Sequence, residues 1–298
     1  MVTRLPPVSI GIPFYNAERF LLDAIKSVFA QTHEDWELIL MDDGSSDRSL
    51  EIARSIDDPR IRVFSDGENR KLAARLNEIH RLANYDFIAR MDADDLMATD
   101  RIEKQLAVLI GHSDVDLTTT GVCSITDDAV PYGTRVAAKD HVLTPYGVLS
   151  GRHGIVHAAI VGRKSWFLRN PYDASDHLAE DYKLWVRAAL QQDLSVLFVR
   201  EPLYFYREEG SVTPKKILVS QLLRREAIRG IGRQMVSPAQ VARLLVESHL
   251  KSTVMRAAVA LGGIHYIVKA RSRSIALDDF EMVKSHVSRI QSIRVGLD

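Results

Sequence analysis

Phe87-Ile88-Ala89-Arg90-Met91-Asp92-Ala93-Asp94-Asp95 decides how this chain is read. The first five residues are a short, mainly apolar run that predicts a buried strand. Three carboxylates then follow within four positions, where that strand ends. Carboxylates so crowded repel one another unless a cation lies among them. An all-oxygen donor set suits hard divalent ions such as Mg²⁺ or Mn²⁺, which commonly share their coordination with substrate phosphates. Taken alone, the cluster is equally compatible with a solvated turn that caps the next helix, since Asp serves both purposes. Its neighbours decide the matter.

Upstream, Val8-Ser9-Ile10-Gly11-Ile12 reads as a strand that Pro13 stops. Phe20, Leu21, Ala24, Ile25, Val28 and Phe29 recur at helical spacing within residues 18–31. Residues 36–41 form the next strand, which runs into Asp42-Asp43-Gly44-Ser45-Ser46-Asp47. A helix through Leu50, Ile52 and Ala53 follows, then a strand over 61–64, then a helix marked by Leu72, Leu76, Ile79 and Leu82. Strands alternating with helices of this length predict a largely parallel sheet covered on both faces. Ligands bind beyond the carboxyl ends of such strands. Both acidic clusters, at Asp42-Asp43 and at 92–95, fall at those ends.

Residues 130–168 are rich in Gly, Pro and His and predict longer loops with antiparallel strands. Ala179-Glu180-Asp181-Tyr182-Lys183-Leu184-Trp185-Val186-Arg187 opens a helix with two acids in its first turn, where the helix dipole also favours them as caps. Residues 196–199 and 203–206 read as closing strands, and beyond Pro214 the chain reads as helical, broken at Gly230, Gly232 and Pro238.

The bulk properties are those of a globular protein with a sizeable core: 298 residues, 46% hydrophobic and 26% charged. Net charge is zero but unevenly placed. Residues 215–298 hold 15 Lys and Arg against 6 Asp and Glu. A basic tail on an acidic body suits an anionic membrane surface or a polyanionic substrate, or simply a solvated helical face. The single cysteine, Cys123, lies in an apolar run; it excludes an internal disulfide framework and reads as a buried structural thiol. The N-terminus has no apolar signal core, and the apolar stretch over 257–268 is too short to span a bilayer. The expected location is cytoplasmic, with peripheral attachment at the inner membrane face.

Pro13-Phe14-Tyr15-Asn16, Asp42-Asp43-Gly44-Ser45-Ser46-Asp47, Ala89-Arg90-Met91-Asp92-Ala93-Asp94-Asp95 and Glu180-Asp181-Tyr182-Lys183-Leu184-Trp185-Val186-Arg187 occur in that order. Together they resemble the family 2 glycosyltransferases of the GT-A fold, over about residues 7–213. The resemblance implies an α/β domain over 1–213, with a mixed, mostly parallel sheet flanked by helices, and a basic helical extension over 214–298. It implies transfer of a sugar from a nucleotide diphosphate sugar, a UDP-sugar first among them, with inversion at the anomeric carbon. The acceptor would be a glycan or lipid-linked glycan in polysaccharide synthesis; no nucleic acid partner is expected.

Such a reaction must stabilise charge on the departing diphosphate and remove a proton from the incoming hydroxyl. By resemblance, Asp94 is the direct ligand of Mn²⁺ or Mg²⁺, and Asp92 serves the ribose and the metal. Asp95 either supports the site or caps a helix. Asp43 matches the residue that hydrogen-bonds the nucleotide base, Pro13 and Tyr15 the loop against that base, and Asp181 the catalytic base. Asp42 and Ser45 are also explained by simple turn closure. Glu180, His157 and Trp185 fall on the acceptor side, although His157 and Trp185 are equally explained by structural hydrogen bonding and core packing. Arg70 and Lys71 are placed to reach the diphosphate. The family often carries glycine near Lys71; Arg75 and Asn77 match it better. It also often carries a His soon after the Tyr-Arg pair that here is Tyr206-Arg207, where this chain has Glu208-Glu209-Gly210-Ser211-Val212.

Two other classes share parts of this pattern. A sugar nucleotidyltransferase also has acidic metal ligands on a nucleotide-binding sheet, but Pro13-Phe14-Tyr15-Asn16 is not its glycine-rich phosphate loop. A non-catalytic nucleotide-sugar-binding subunit would have no need of Asp181. The amphipathic tail suits a homodimer as readily as a lipid surface.

Overall fold

The computed structural model describes residues 4–136, 142–175, 179–208, 214–260 and 273–296. Its front half is a parallel ladder. β1 (Val8–Phe14) lies between β2 (Trp36–Asp42) and β4 (Phe87–Arg90), and β3 (Ile61–Phe64) pairs with the far edge of β2. The connections are helices: α1 (Leu21–Phe29), α2 (Ser49–Arg54) and α3 (Lys71–Leu82). Alternation along β2 shows how both faces are covered. Leu38 and Leu40 join the core under α1, with Ile25 and Val28, whereas Ile39 and Met41 join that under α3, with Leu76 and Ile79. Gly11 lets α3 approach, since a Cβ there would stand 2.4 Å from Ile79 Cγ2.

β1 continues through Pro13 to Phe14 instead of stopping at Pro13. Gly11 C=O accepts from Met91 N–H, so the polar groups of alternate residues, Pro13 included, face β4. The β4 ladder has ended by Arg90, paired with Gly11, so the missing proline N–H breaks no sheet bond. The following helix is shorter than the periodicity predicts, because residues 17–20 form a turn before Leu21.

The back half is mainly antiparallel and returns the chain to the site. A two-residue β5 (Leu96–Met97) and α4 (Arg101–Gly111) lead to β6 (Leu117–Ile125), which pairs with β7 (Pro131–Arg135). α5 (Pro145–Leu149) and a single 3₁₀ turn, His157–Ala159, precede β8 (Val161–Arg163), which inserts antiparallel between β4 and β6. α6 (Lys164–Arg169) and α7 (Glu180–Leu190) follow. The two predicted closing strands are one, β9 (Val196–Arg207), parallel to β6 with an irregularity opposite Gly121. A Cβ at Gly121 would lie 2.9 Å from Arg200 O, which fixes glycine at that bulge.

The C-terminal helices pack on this frame. Ile228 of α8 (Pro214–Met235) and Val241 and Leu244 of α9 (Pro238–Ala260) share a core with Trp166, Leu184 and Trp185. β10 (Arg273–Ser274) pairs with β7, and Val283, Val287 and Ile290 of α10 (Leu277–Ser292) pack against Leu96, Cys123 and Phe205. Cys123 is buried, and burial pushes its thiol up to about 12. No helix of the described residues is long and apolar enough to cross a membrane. The expected boundary near residue 213, residues 209–213 after Glu208, and most of the apolar stretch 257–268 lie outside the described residues.

Candidate active site

Three adjacent parallel strands, β4, β1 and β2, end on the same edge of the sheet and carry the acidic clusters there. The loop after β1 is tied to the loop after β2. Asn16, in the left-handed region at φ 50°, accepts from Ser46 N–H at 2.8 Å, and its own N–H donates to Ser45 Oγ at 3.1 Å. Asp42 closes the turn, accepting from Ser45 N–H (3.0 Å) and Ser65 Oγ (2.7 Å). Pro13 is buried, while Tyr15 close by is 52% exposed.

Asp43 is buried and fully engaged. It accepts from Arg70 N–H (2.7 Å), from Lys71 N–H through both oxygens (3.2 and 3.1 Å), and from Arg75 Nε (2.9 Å). Arg75 is itself buried and also donates to Asp66 and Glu78. The Arg70 side chain is half exposed and pairs with Asp66 (2.8 Å) and Glu78 (3.4 Å). Lys71, where the family often has glycine, sits at φ 70°, the left-handed conformation that glycine adopts without strain.

The 92–95 cluster divides into distinct environments. Asp95 is fully buried and accepts from Tyr204 OH (2.7 Å) and Arg207 N–H (2.8 Å). Burial first, then the charges of Asp94 and Asp92, raise its carboxyl well above the ordinary range. Tyr204 OH also accepts from Asp92 N–H at 3.0 Å, so one phenol joins the loop to β9. Asp92 is held from behind by Arg90, a buried arginine at the end of β4, through bonds of 2.7 and 3.4 Å. Asp94 reaches solvent and has no such partner; the protein crowding it, and next the Asp92 charge, raise its carboxyl.

A cavity of about 720 Å³ opens beside Asp92. Its lining brings Arg90, Asp92, His157, Glu180, Asp181, Tyr206 and Glu208 together. Asp181 accepts from Tyr182 N–H at 2.6 Å, which orients its carboxylate in the first turn of α7. Burial raises the carboxyls of Asp181 and Glu180, and Arg90 opposes the rise at both. Glu180 Oε2 is buried with no hydrogen-bond partner among the described residues.

His157 pairs with Tyr172 OH at 2.6 Å, and burial, with Arg90 next, depresses its imidazole far below the ordinary value. It is therefore a neutral, hydrogen-bonded wall. Asn77 pins the Tyr172 backbone through bonds of 2.8 and 2.9 Å. Trp185 is fully buried, stacked on Trp166 with ring centroids 5.9 Å apart, and is core.

Among the described residues no group of three or more His, Cys, Asp or Glu side chains is disposed to hold a metal. Glu208, which follows Tyr206-Arg207, is committed to Arg135 (2.5 Å) and Ser124 Oγ (2.9 Å). Of the 92–95 carboxylates, Asp92 and Asp94 are the two that reach solvent. The Asp92 charge adds to burial in raising the Asp94 carboxyl, and a pair so placed fits a cation completed by phosphate oxygens and water.

Sequence reading missed Arg90, Tyr204 and Tyr172. Arg90 carried a signal: a guanidinium inside an apolar strand, two residues before a carboxylate, is rarely buried without an ionic partner.

The doubly covered sheet, with paired carboxylates at its parallel edge beside a polar cavity, is that of an α/β protein with a ligand site at its strand ends. Residues 9–168 match the family described as glycosyl transferase family 2, and the chain belongs to that family. EpsE of Bacillus subtilis (strain 168), named as a glycosyltransferase, is 29% identical over 260 residues, covering 84% of this chain and 92% of EpsE. The Escherichia coli UDP-Glc:alpha-D-GlcNAc-diphosphoundecaprenol beta-1,3-glucosyltransferase WfgD is 28% identical over 190 residues, 64% of this chain and 72% of its own. Among solved structures, Staphylococcus aureus TarS 1-349 in complex with UDP superposes with a TM-score of 0.58 at 17% identity, over 81% of this chain and 70% of that one. The mannosyltransferase PcManGT of Pyrobaculum calidifontis, in complex with GDP-Man and Mn²⁺, gives 0.62 at 14% identity, over 97% and 86%. These structures share the GT-A fold. The chain is a glycosyltransferase.

Proposed function

We propose that the protein is a metal-dependent, inverting transferase that moves a sugar from a UDP-sugar to a lipid-linked glycan at the inner membrane face. Residues 1–213 form the transferase portion and 214–298 a helical extension. The observation that carries this reading is the shared cavity: Asp92, from the end of β4, and Asp181, from the start of α7, line one wall-to-wall space with Glu180.

The roles follow from position. Tyr15 and Asp43 flank the base at the carboxyl ends of β1 and β2, Asp43 being positioned by Arg75. Arg70 stands at the amino end of α3, where Asp43 takes its N–H and that of Lys71, so its half-exposed guanidinium is the group offered to the diphosphate. Asp92 and Asp94 would hold a Mn²⁺ or Mg²⁺ ion, which would supply charge stabilisation for the departing diphosphate. Asp181 accepts the proton of the acceptor hydroxyl. A base across the cavity from the diphosphate side corresponds to in-line displacement, hence inversion. Glu180 and His157 shape the acceptor side. The UDP and UDP-Glc in the names of TarS and WfgD support the donor, and the diphosphoundecaprenol in the name of WfgD supports the acceptor class.

Isothermal titration with UDP-, GDP- and dTDP-sugars, with and without Mn²⁺, tests the reading. Metal-dependent binding of UDP-sugars alone is the expected result. Binding of no nucleotide sugar under any metal condition overturns it.

A further inference from the structure

α9 is apolar on two opposite faces. Val241, Leu244 and Met255 are buried on one, together with Ser248 and Ser252. Ser252 Oγ accepts from Arg225 of α8 at 2.7 Å, which fixes that face inward. On the other side Val246, Leu250 and Val254 are 67%, 64% and 56% exposed. Their spacing, each four residues from the last, stacks them in one line along the helix. A solvent-facing helix ordinarily carries polar residues there.

The flanks of this line are basic. α9 contains Arg243, Lys251 and Arg256, and its one acid, Glu247, is already shared by Arg243 (3.0 Å) and Arg152. We infer that the outer face of α9 is a lipid-docking surface. The helix lies in the plane of an anionic leaflet, with Val246, Leu250 and Val254 at the acyl boundary and Arg243, Lys251 and Arg256 among the headgroups. A second copy of the chain is disfavoured as the occupant, because a two-fold contact sets this basic face against its equal.

The choice of lipid rests on the proposed lipid-linked acceptor, and the geometry connects the two. α8 lies between α9 and the cavity wall, with Arg224 of α8 over the Tyr182 ring at 5.3 Å and bonded to Ser150 O at 3.1 Å. Tyr182 is the residue after Asp181. Docking α9 therefore holds the acceptor side of the cavity at a set height above the membrane.

The test is co-sedimentation of the full chain with vesicles of phosphatidylcholine alone or mixed with phosphatidylglycerol, beside the triple variant Val246→Ser, Leu250→Ser, Val254→Ser. The native chain is expected to sediment with the mixed vesicles, to be released by salt, and to bind phosphatidylcholine weakly. The variant is expected to partition about tenfold less. Equal partition of the variant, or no sedimentation of the native chain with anionic vesicles, overturns the inference. So does a native dimer, seen by light scattering, that the variant converts to a monomer. Donor titration on the same preparations reads the transferase proposal separately: a chain that binds UDP-sugar but no vesicle loses only the docking surface.

Discussion

The Arg90 guanidinium grips both carboxylate oxygens of Asp92 and faces the same cavity as Glu180 and Asp181. One buried cation thus aims the Asp92 carboxylate and moderates the charge of Glu180 and Asp181. Arg90→Lys cannot reproduce the two-pronged contact. It is expected to lower kcat/KM by about 10- to 100-fold through misplacement of Asp92. It should also move the acid limb of the pH–rate profile only slightly, because the positive charge is kept, whereas Arg90→Met should move that limb upward. Steady-state kinetics across pH compares the two variants.

Asp181→Asn separates chemistry from binding. Loss of a general base costs about 10²- to 10⁴-fold in turnover, and titration of the UDP-sugar should show donor affinity unchanged. The same substitution should stabilise the fold. Burial raises the Asp181 carboxyl, so the folded state loses stability as pH rises from the unfolded carboxylate value through the raised folded one. Asn has no such loss. Thermal melts should place the variant above the native chain at neutral pH, and the two should converge below about pH 4.

In the native enzyme the same raised carboxyl predicts the pH dependence of activity. As the proposed base Asp181 must be ionised to accept a proton, so turnover should fall as pH drops through its raised value. An acid limb at or below the ordinary carboxylate range would contradict this.

Tyr204→Phe removes a phenol that bridges Asp92 N–H and Asp95 Oδ2. It strips Oδ2 of the fully buried Asp95 of its partner while Arg207 N–H still serves Oδ1, and one such lost partner costs about 1–3 kcal/mol. Denaturant unfolding should show that loss, with a fall in kcat/KM as the 92–95 loop loosens from β9.

Lys71→Gly tests the strained entry to α3. Lys71 adopts φ 70°, and its N–H donates to both oxygens of Asp43. A non-glycine residue in the left-handed region costs about 1–2 kcal/mol, so glycine should raise stability by about 1 kcal/mol while the N–H bonds to Asp43 persist. A lower melting temperature for the glycine variant would count against strain at this position.

Strand and helix placement through residue 91 was legible because alternation and helical spacing are local properties of side-chain order. The ends of elements were less so: Pro13 reads as a stop, yet β1 runs on because its neighbour β4 has already finished. Asp42 and Asp43 look alike in sequence, but one closes a turn with Ser45 and Ser65 while the other is gripped by Arg75 and the start of α3. Trp185 and His157, each open to two readings from sequence, are separated only by burial and by the bond from His157 to Tyr172.

By itself the order of residues determined the alternating α/β pattern, the carboxylates at strand ends and the glycosyltransferase resemblance, since each depends on neighbours a few positions apart. Tertiary structure alone decided that Arg90 grips Asp92 and shares one cavity with Asp181, that Tyr204 reaches back to Asp95, and that α9 leaves an aliphatic line outward. Those contacts join residues far apart in the chain, brought together only when β8, α7 and β9 return to the sheet, and no local spacing encodes that return.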